Sequence, residues 1–197
     1  MNVPQGVGIA CLVILLAWAV IAFNALVRRR NEIGNAFAQI DVQLKRRYDL
    51  IPNLVETARK YLQHEQSTLE AVSSARSGAS RAAEAARRLP ADAAAIGALG
   101  SAEIALGGVL GRLMAVVEAY PALKADATMR DLSEELAHTE NRIGFARQAF
   151  NDAVLDYNNA SQQAPTNIVA ALFGFRPAAM LEATQTESER EAVRVRF

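Results

Sequence analysis

Cysteine, histidine and glycine-rich loops are scarce in this 197-residue chain, and each scarcity removes a class of chemistry. Cys11 is the sole cysteine and lies inside an apolar run, which excludes an intrachain disulfide, a thiolate zinc site and most thiol catalysis. There are two histidines. His64-Glu65 resembles the opening of a zincin motif, but the fifth position is Thr68 and the second ligand is missing. Glu135-Leu136-Ala137-His138 matches the Glu-x-x-His element of di-iron bundles. Such a site needs that element twice, and Tyr61 stands three residues before His64. No phosphate-cradling glycine loop, nucleophile elbow or redox dicysteine occurs. The expectation is a protein that is not an enzyme and holds no cofactor or metal. Charge of one sign is also lacking, with 21 basic and 21 acidic residues, so no global field recruits nucleic acid. The arginine-rich stretch near the N-terminus lacks the interleaved aromatics of a nucleic-acid surface.

What the chain does have is an unbroken uncharged run from Val7 to Phe23, followed by Arg28-Arg29-Arg30. From Gly6 through Val27 such a segment is ~30 Å long as a helix, the thickness of a bilayer's hydrocarbon core. Met1 to Gly6 carry no basic side chain, unlike a signal peptide's n-region. Cleavage at the small-x-small triplet Ala17-Trp18-Ala19 would leave apolar residues on the mature end. The reading is a retained anchor, residues 1–27. Arg28, Arg29, Arg30, Lys45, Arg46 and Arg47 all follow the run, so the positive-inside rule places the bulk in the cytoplasm and the N-terminus outside. A basic root beside an anionic leaflet gains about 1 kcal/mol per cation, although setting topology is explanation enough for these charges.

The rest reads as all-α: β-branched runs bounded by turns are absent, and apolar residues recur at three- and four-residue spacing. Ile33, Phe37, Ile40, Leu44, Ile51, Leu54, Ala58 and Leu62 form one stripe, interrupted by Arg47. Pro52 removes a backbone donor there, so a kink, in preference to a break, is expected near Tyr48–Ile51. Ser67 and Glu70 have capping-box spacing and predict a second helix, through Leu69, Val72, Ala75, Ala79, Ala82 and Ala86 to about Leu89. Pro90 and 91–100 read as a turn or loose connection. A third helix is expected over 101–120, weakened by Gly107, Gly108 and Gly111. Pro121 marks a corner. Leu132, Leu136, Thr139, Ile143, Ala146, Phe150, Ala153 and Tyr157 then keep an unbroken 4-3 spacing, fading at Asn158-Asn159. Together these stretches predict an elongated antiparallel three- to four-helix bundle over 28–176.

Ala164-Pro165-Thr166 reads as a stop and a fresh start, with Ile168 to Phe173 making two turns that end at Gly174. Ile168, Leu172, Phe173 and Phe175 are large apolar residues close together, expected to close the bundle's open end in preference to entering lipid. Residues 177–197 form a charged tail, loose from Thr184. Its end, Val193 to Phe197, alternates with period two, as a strand paired elsewhere would.

The run NEIGNAFAQIDVQLKRRYDLIPNLVETARKYLQHE, Asn31 to Glu65, resembles the signature region of LemA proteins. So do Leu69 to Arg76, Ala119 to Lys124, Thr139 to Ile143, Phe150-Asn151, Tyr157-Asn158, Pro165-Thr166-Asn167 and Phe173-Gly174-Phe175. The junction Phe23 to Val27 is a looser version of the family pattern, and the glycine-rich 97–111 segment departs from it. The resemblance implies a single-pass bacterial inner-membrane protein with a long helical bundle and no established catalytic activity. It further implies association with membrane zinc metallopeptidases and envelope proteins, and kinship with a protein that shapes magnetosome membranes.

On this reading the chain is a membrane-anchored scaffold that forms homo-oligomers or recruits envelope partners. The contact surface is expected over Asp41, Lys45, Arg46, Arg47, Tyr48, Asp49, Pro52 and Asn53, unless these charges merely solvate a helix and pair internally, as Asp41 with Lys45 can. The rival reading is membrane remodelling or lipid sensing through the basic root and the Pro165–Phe175 segment.

Overall fold

The computed structural model describes residues 3–62 and 64–182. It contains six helices and, among the described residues, no strand: α1 (Val3–Arg59), α2 (Gln66–Arg88), α3 (Ala93–Ala119), α4 (Pro121–Lys124), α5 (Ala127–Gln162) and α6 (Thr166–Leu172). The charged tail from Thr184 and the period-two end lie outside the described residues.

α1 is one helix of 57 residues, about 85 Å at 1.5 Å per residue, running unbroken from the apolar run into the bundle. The eight apolar residues of its predicted stripe, Ile33 to Leu62, are all buried. Pro52 sits inside α1 without ending it. A proline deprives the carbonyl four residues earlier of its donor, here that of Tyr48. Arg76 on α2 supplies the replacement: its Nε donates to the Tyr48 carbonyl at 2.6 Å.

The helices alternate in direction. Asp41 with Arg87, and Tyr48 with Arg76, set α2 antiparallel to α1. Phe37 stacks edge-on against Phe150, centroids 5.9 Å apart, while Arg47 pairs with Glu140, so α5 is antiparallel to α1 as well. α3 runs beside α5 in the opposite sense, with Glu103 near the level of Glu140 and Met114 meeting Ser133. At the far end the Tyr61 hydroxyl donates to Asp126 at 2.9 Å.

Three expectations at helix ends are corrected. α2 starts at Gln66 with Glu65 at its N-cap and no side-chain cap, so the Ser67–Glu70 box does not form. α3 begins at Ala93, eight residues before the expected Ser101, and the loose connection shrinks to a turn. The Asp92 carboxylate accepts from the Ala95 N–H at 2.8 Å, and the alanines that follow are the best helix formers. α5 likewise continues past Asn158-Asn159 to Gln162. The α2 seam runs through Ala79, Ala83 and Ala86, leaving Ala82 at its margin.

Among the described residues two helices are long and apolar enough to cross a membrane, the one containing the N-terminal run and α3. α3 is a bundle helix: Ile96, Leu99, Leu106, Leu110, Leu113 and Val117 are buried in the core, and Glu103 is ion-paired at mid-length.

Candidate functional site

Within the 41–53 stretch four of the eight expected contact residues pair with other helices, Arg47 and Tyr48 buried, Asp41 half-buried and Arg46 at the surface. Asp41 accepts a bidentate pair from Arg87, both bonds 2.8 Å, so it is tied to α2 and not to Lys45. Arg46 pairs with Glu135 on α5. Arg47 is buried: its Nη1 lies 2.6 Å from Glu103, and its Nε lies 2.7 Å from Glu140, close enough for an ion pair yet misaligned for a hydrogen bond. The buried Tyr48 hydroxyl donates to the other Glu103 oxygen. One arginine thereby ties α1, α3 and α5 at a single level. Lys45, Asp49, Pro52 and Asn53 remain exposed on the outside of α1.

Burial and the negative charge of Glu103 push the Tyr48 hydroxyl well above its ordinary pKa, so it stays a donor at any physiological pH. Partial burial also raises the Glu140 carboxyl, whose side chain keeps 42% of its surface exposed, outweighing the Arg47 charge beside it. A carboxyl raised on folding contributes stability that is fully present below its unfolded pKa, about 4.3, and lost as pH rises through its folded value. Glu140→Gln is therefore expected to gain stability relative to the parent between pH 4 and pH 7, by denaturant midpoints in detergent. A parent-to-variant difference that stays constant, or moves the other way, would contradict the burial argument.

A second locus is the end of the bundle where α1 leaves it. Arg28 and Arg30 are exposed and Arg29 is half-buried. Just N-terminal to them, Ala22 and Leu26 are buried against Val169 and Ala170 of α6, with Trp18, Ala19, Phe23, Ala160 and Phe175 packed around. Phe23 meets Phe173 and Phe175 edge-on, at 4.9 and 5.5 Å between centroids. The predicted two turns ending at Gly174 are present, with Gly174 at φ 70° and the Phe175 N–H bonded to the Ala170 carbonyl at 2.9 Å. The side chains seal this end differently from expectation. Val169, Ala170 and Phe175 face inward, Ile168 and Leu172 project outward, and Phe173 rests on Phe23 while more than half exposed.

Sequence reasoning missed what holds α6 there. After Gly174 the chain runs back along α5 without regular structure. Asn158 Nδ2 donates to the Ala178 carbonyl and its Oδ1 accepts from the Ala178 N–H, both at 2.9 Å. Asn151 does the same for Leu181, at 3.2 and 2.9 Å. The spacings agree: seven helical residues and three extended ones both cover about 10 Å. Two asparagines a heptad apart were the available signal. Tyr157 adds a bond from its hydroxyl to the Arg176 carbonyl at 2.9 Å.

Among the described residues, no group of three or more histidine, cysteine or acidic side chains could hold a metal. His138 stands by Glu134 on the surface of α5, 3.6 Å away.

A family model described as the LemA family matches residues 36–197. The curated relatives that align include the magnetosome protein MamQ of Magnetospirillum gryphiswaldense, 26% identical over 185 residues, covering 86% of this chain and 68% of the relative. Magnetosome proteins MamQ 2 and MamQ 1 of Paramagnetospirillum magneticum are each 26% identical over 187 residues, covering 87% of this chain and 69% of theirs. None of these names is that of an enzyme.

Proposed function

Since the chain belongs to the LemA family, we propose that it is a membrane-anchored, non-catalytic scaffold whose helical rod presents a contact face to neighbouring copies or envelope proteins. The observation that carries this reading is the continuity of α1. One helix is both the apolar anchor and a wall of the bundle, so force and position pass from bilayer to rod without a hinge. The basic residues after the apolar run support a bundle on the cytoplasmic side of the inner membrane, with the N-terminus outside. With Asp41, Arg46, Arg47 and Tyr48 each paired to another helix, what remains of the expected contact set, all of it exposed, is Lys45, Asp49, Pro52 and Asn53. That is the face for a second copy or for a partner such as a membrane metallopeptidase.

In-membrane cross-linking through Asn53→Cys, in a chain with Cys11 replaced, tests it. A defined dimer or a reproducibly enriched partner is expected. Recovery of the monomer alone, across cross-linker lengths, would sink the scaffold reading. A second reading, direct contact with lipid, is favoured by one observation: α6 sits beside the apolar run.

A further inference from the structure

We propose that α6 lies within the bilayer, as a short helix embedded in the leaflet that faces the bundle, so that the protein contacts lipid through two elements. The inference rests on the anchor reading and deepens it. Its basis is a length argument. The apolar run begins at Val7, beyond Gln5, and α6 packs against its C-terminal part and the residues just after it, from Trp18 to Leu26. Were α6 in water, residues 18–26 would be in water with it. Only Val7 to Ala17 would then remain for the membrane, 11 residues or about 16 Å of helix, half of the ~30 Å hydrocarbon core. Counting Val7 to Leu26 restores 20 residues, a sufficient span. The span reaches across only if α6 is at membrane depth too.

The chemistry of α6 suits that place. No charged residue occurs between Asp156 and Arg176. Its outer side is largely apolar: Ile168 is 66% exposed, Leu172 77% and Phe173, one edge of which meets Phe23, 56%, with Asn167 the exposed polar residue of the helix. Lipid tolerates a helix end only where its backbone groups are paired internally. Pro165 has no N–H to satisfy, the Asn167 N–H bonds the Gln163 carbonyl at 2.9 Å, and the Gly174 turn pairs the Phe175 N–H with the Ala170 carbonyl. Cations mark the membrane surface where α6 ends. Arg28, Arg29 and Arg30 follow the span, and Arg176 follows Phe175, its carbonyl held by Tyr157. Position is fixed by the Asn158 and Asn151 clamps on the segment that follows. An element wedged into one leaflet occupies area there alone, which makes such binding sensitive to curvature.

The test uses the full chain in vesicles of phosphatidylethanolamine and phosphatidylglycerol, with Cys11→Ser as background and single nitroxide labels at Leu172→Cys, Ile14→Cys and Phe145→Cys. All three positions are exposed, so the labels leave packing intact. Accessibility is read to oxygen, which concentrates in lipid, and to a water-soluble nickel chelate. The oxygen-to-nickel ratio at 172 is expected to match that at 14 and to exceed that at 145 several-fold. A ratio at 172 equal to that at 145 overturns the proposal, and so does shielding from both reagents, which would mean a protein cover. An aqueous signal at 14 would instead overturn the anchor reading, and the proposal with it. Ile168→Cys repeats the measurement on the same face of α6.

Discussion

Arg47→Met is expected to destabilise the detergent-solubilised protein by about 3–5 kcal/mol, because removing one partner of a buried ion pair leaves the other charge unpaired. Arg47 and Glu103 are both nearly out of solvent, with side chains 6% and 14% exposed. Glu140 is 42% exposed and recovers water, which places the cost toward the low end of that range. The second half of the experiment separates net stabilisation from the penalty of a stranded charge. Adding Glu103→Leu to Arg47→Met should return most of the loss, since a well-packed apolar pair of similar volume often matches a buried ion pair. Tyr48 then loses its acceptor, so recovery stops short of complete. The readout is thermal or urea unfolding followed by circular dichroism. A single variant as stable as the parent would show that the three-helix tie contributes nothing.

The second large effect concerns the proline in α1. Arg76→Leu is expected to cost about 1–3 kcal/mol, the penalty for a part-buried carbonyl left without a donor. In that background Pro52→Ala should recover most of the loss, since an N–H at position 52 reaches the Tyr48 carbonyl by the ordinary helical bond. In the parent the same change gains less, because Arg76 already occupies that oxygen. The two substitutions should thus couple by about 0.5–3 kcal/mol in a double-mutant cycle. Additive effects would show that Arg76 does not stand in for the missing N–H.

The long stripes were legible from spacing alone. Residues from Ile33 to Leu62 bury as their period requires, and so do Leu136, Thr139, Ile143, Phe150 and Tyr157, while Leu132, Ala146 and Ala153 are half-buried, because a helix packed lengthwise must repeat every three or four residues. Pro52 was legible as a disturbance that does not break the helix, and illegible as to what satisfies the freed carbonyl. Which donor takes the freed carbonyl depends on who is nearby, and Arg76 is 28 positions away in the chain. The start of α3 was misplaced because Pro90 made 91–100 read as a turn and the Asp92 cap went unused; the glycines at 107, 108 and 111 do not interrupt the helix. Each glycine weakens a helix by only about 1 kcal/mol, which packing against α2 repays.

The contact stretch shows the same division at single-residue scale. Arg47 was recognised as a polar interruption of an apolar stripe, and a buried arginine demands carboxylates. Nothing in the order of residues says that Glu103 and Glu140 supply them. Nor does it say that Asp41 prefers Arg87 to Lys45, one turn away on its own helix. Local pairs are readable because helical geometry fixes their separation; pairs between helices are set by the register at which the helices dock.

Taken alone, the residues determined the family, the helical class, the apolar helix at the N-terminus and the order of the main elements, since these follow from composition and from periods that local geometry enforces. Tertiary structure decided which charges turn inward, how α1 survives its proline, and that α6 and its asparagine clamps sit beside the apolar run. Those outcomes depend on contacts between residues far apart in the chain, where docking register, and not sequence separation, sets the distance.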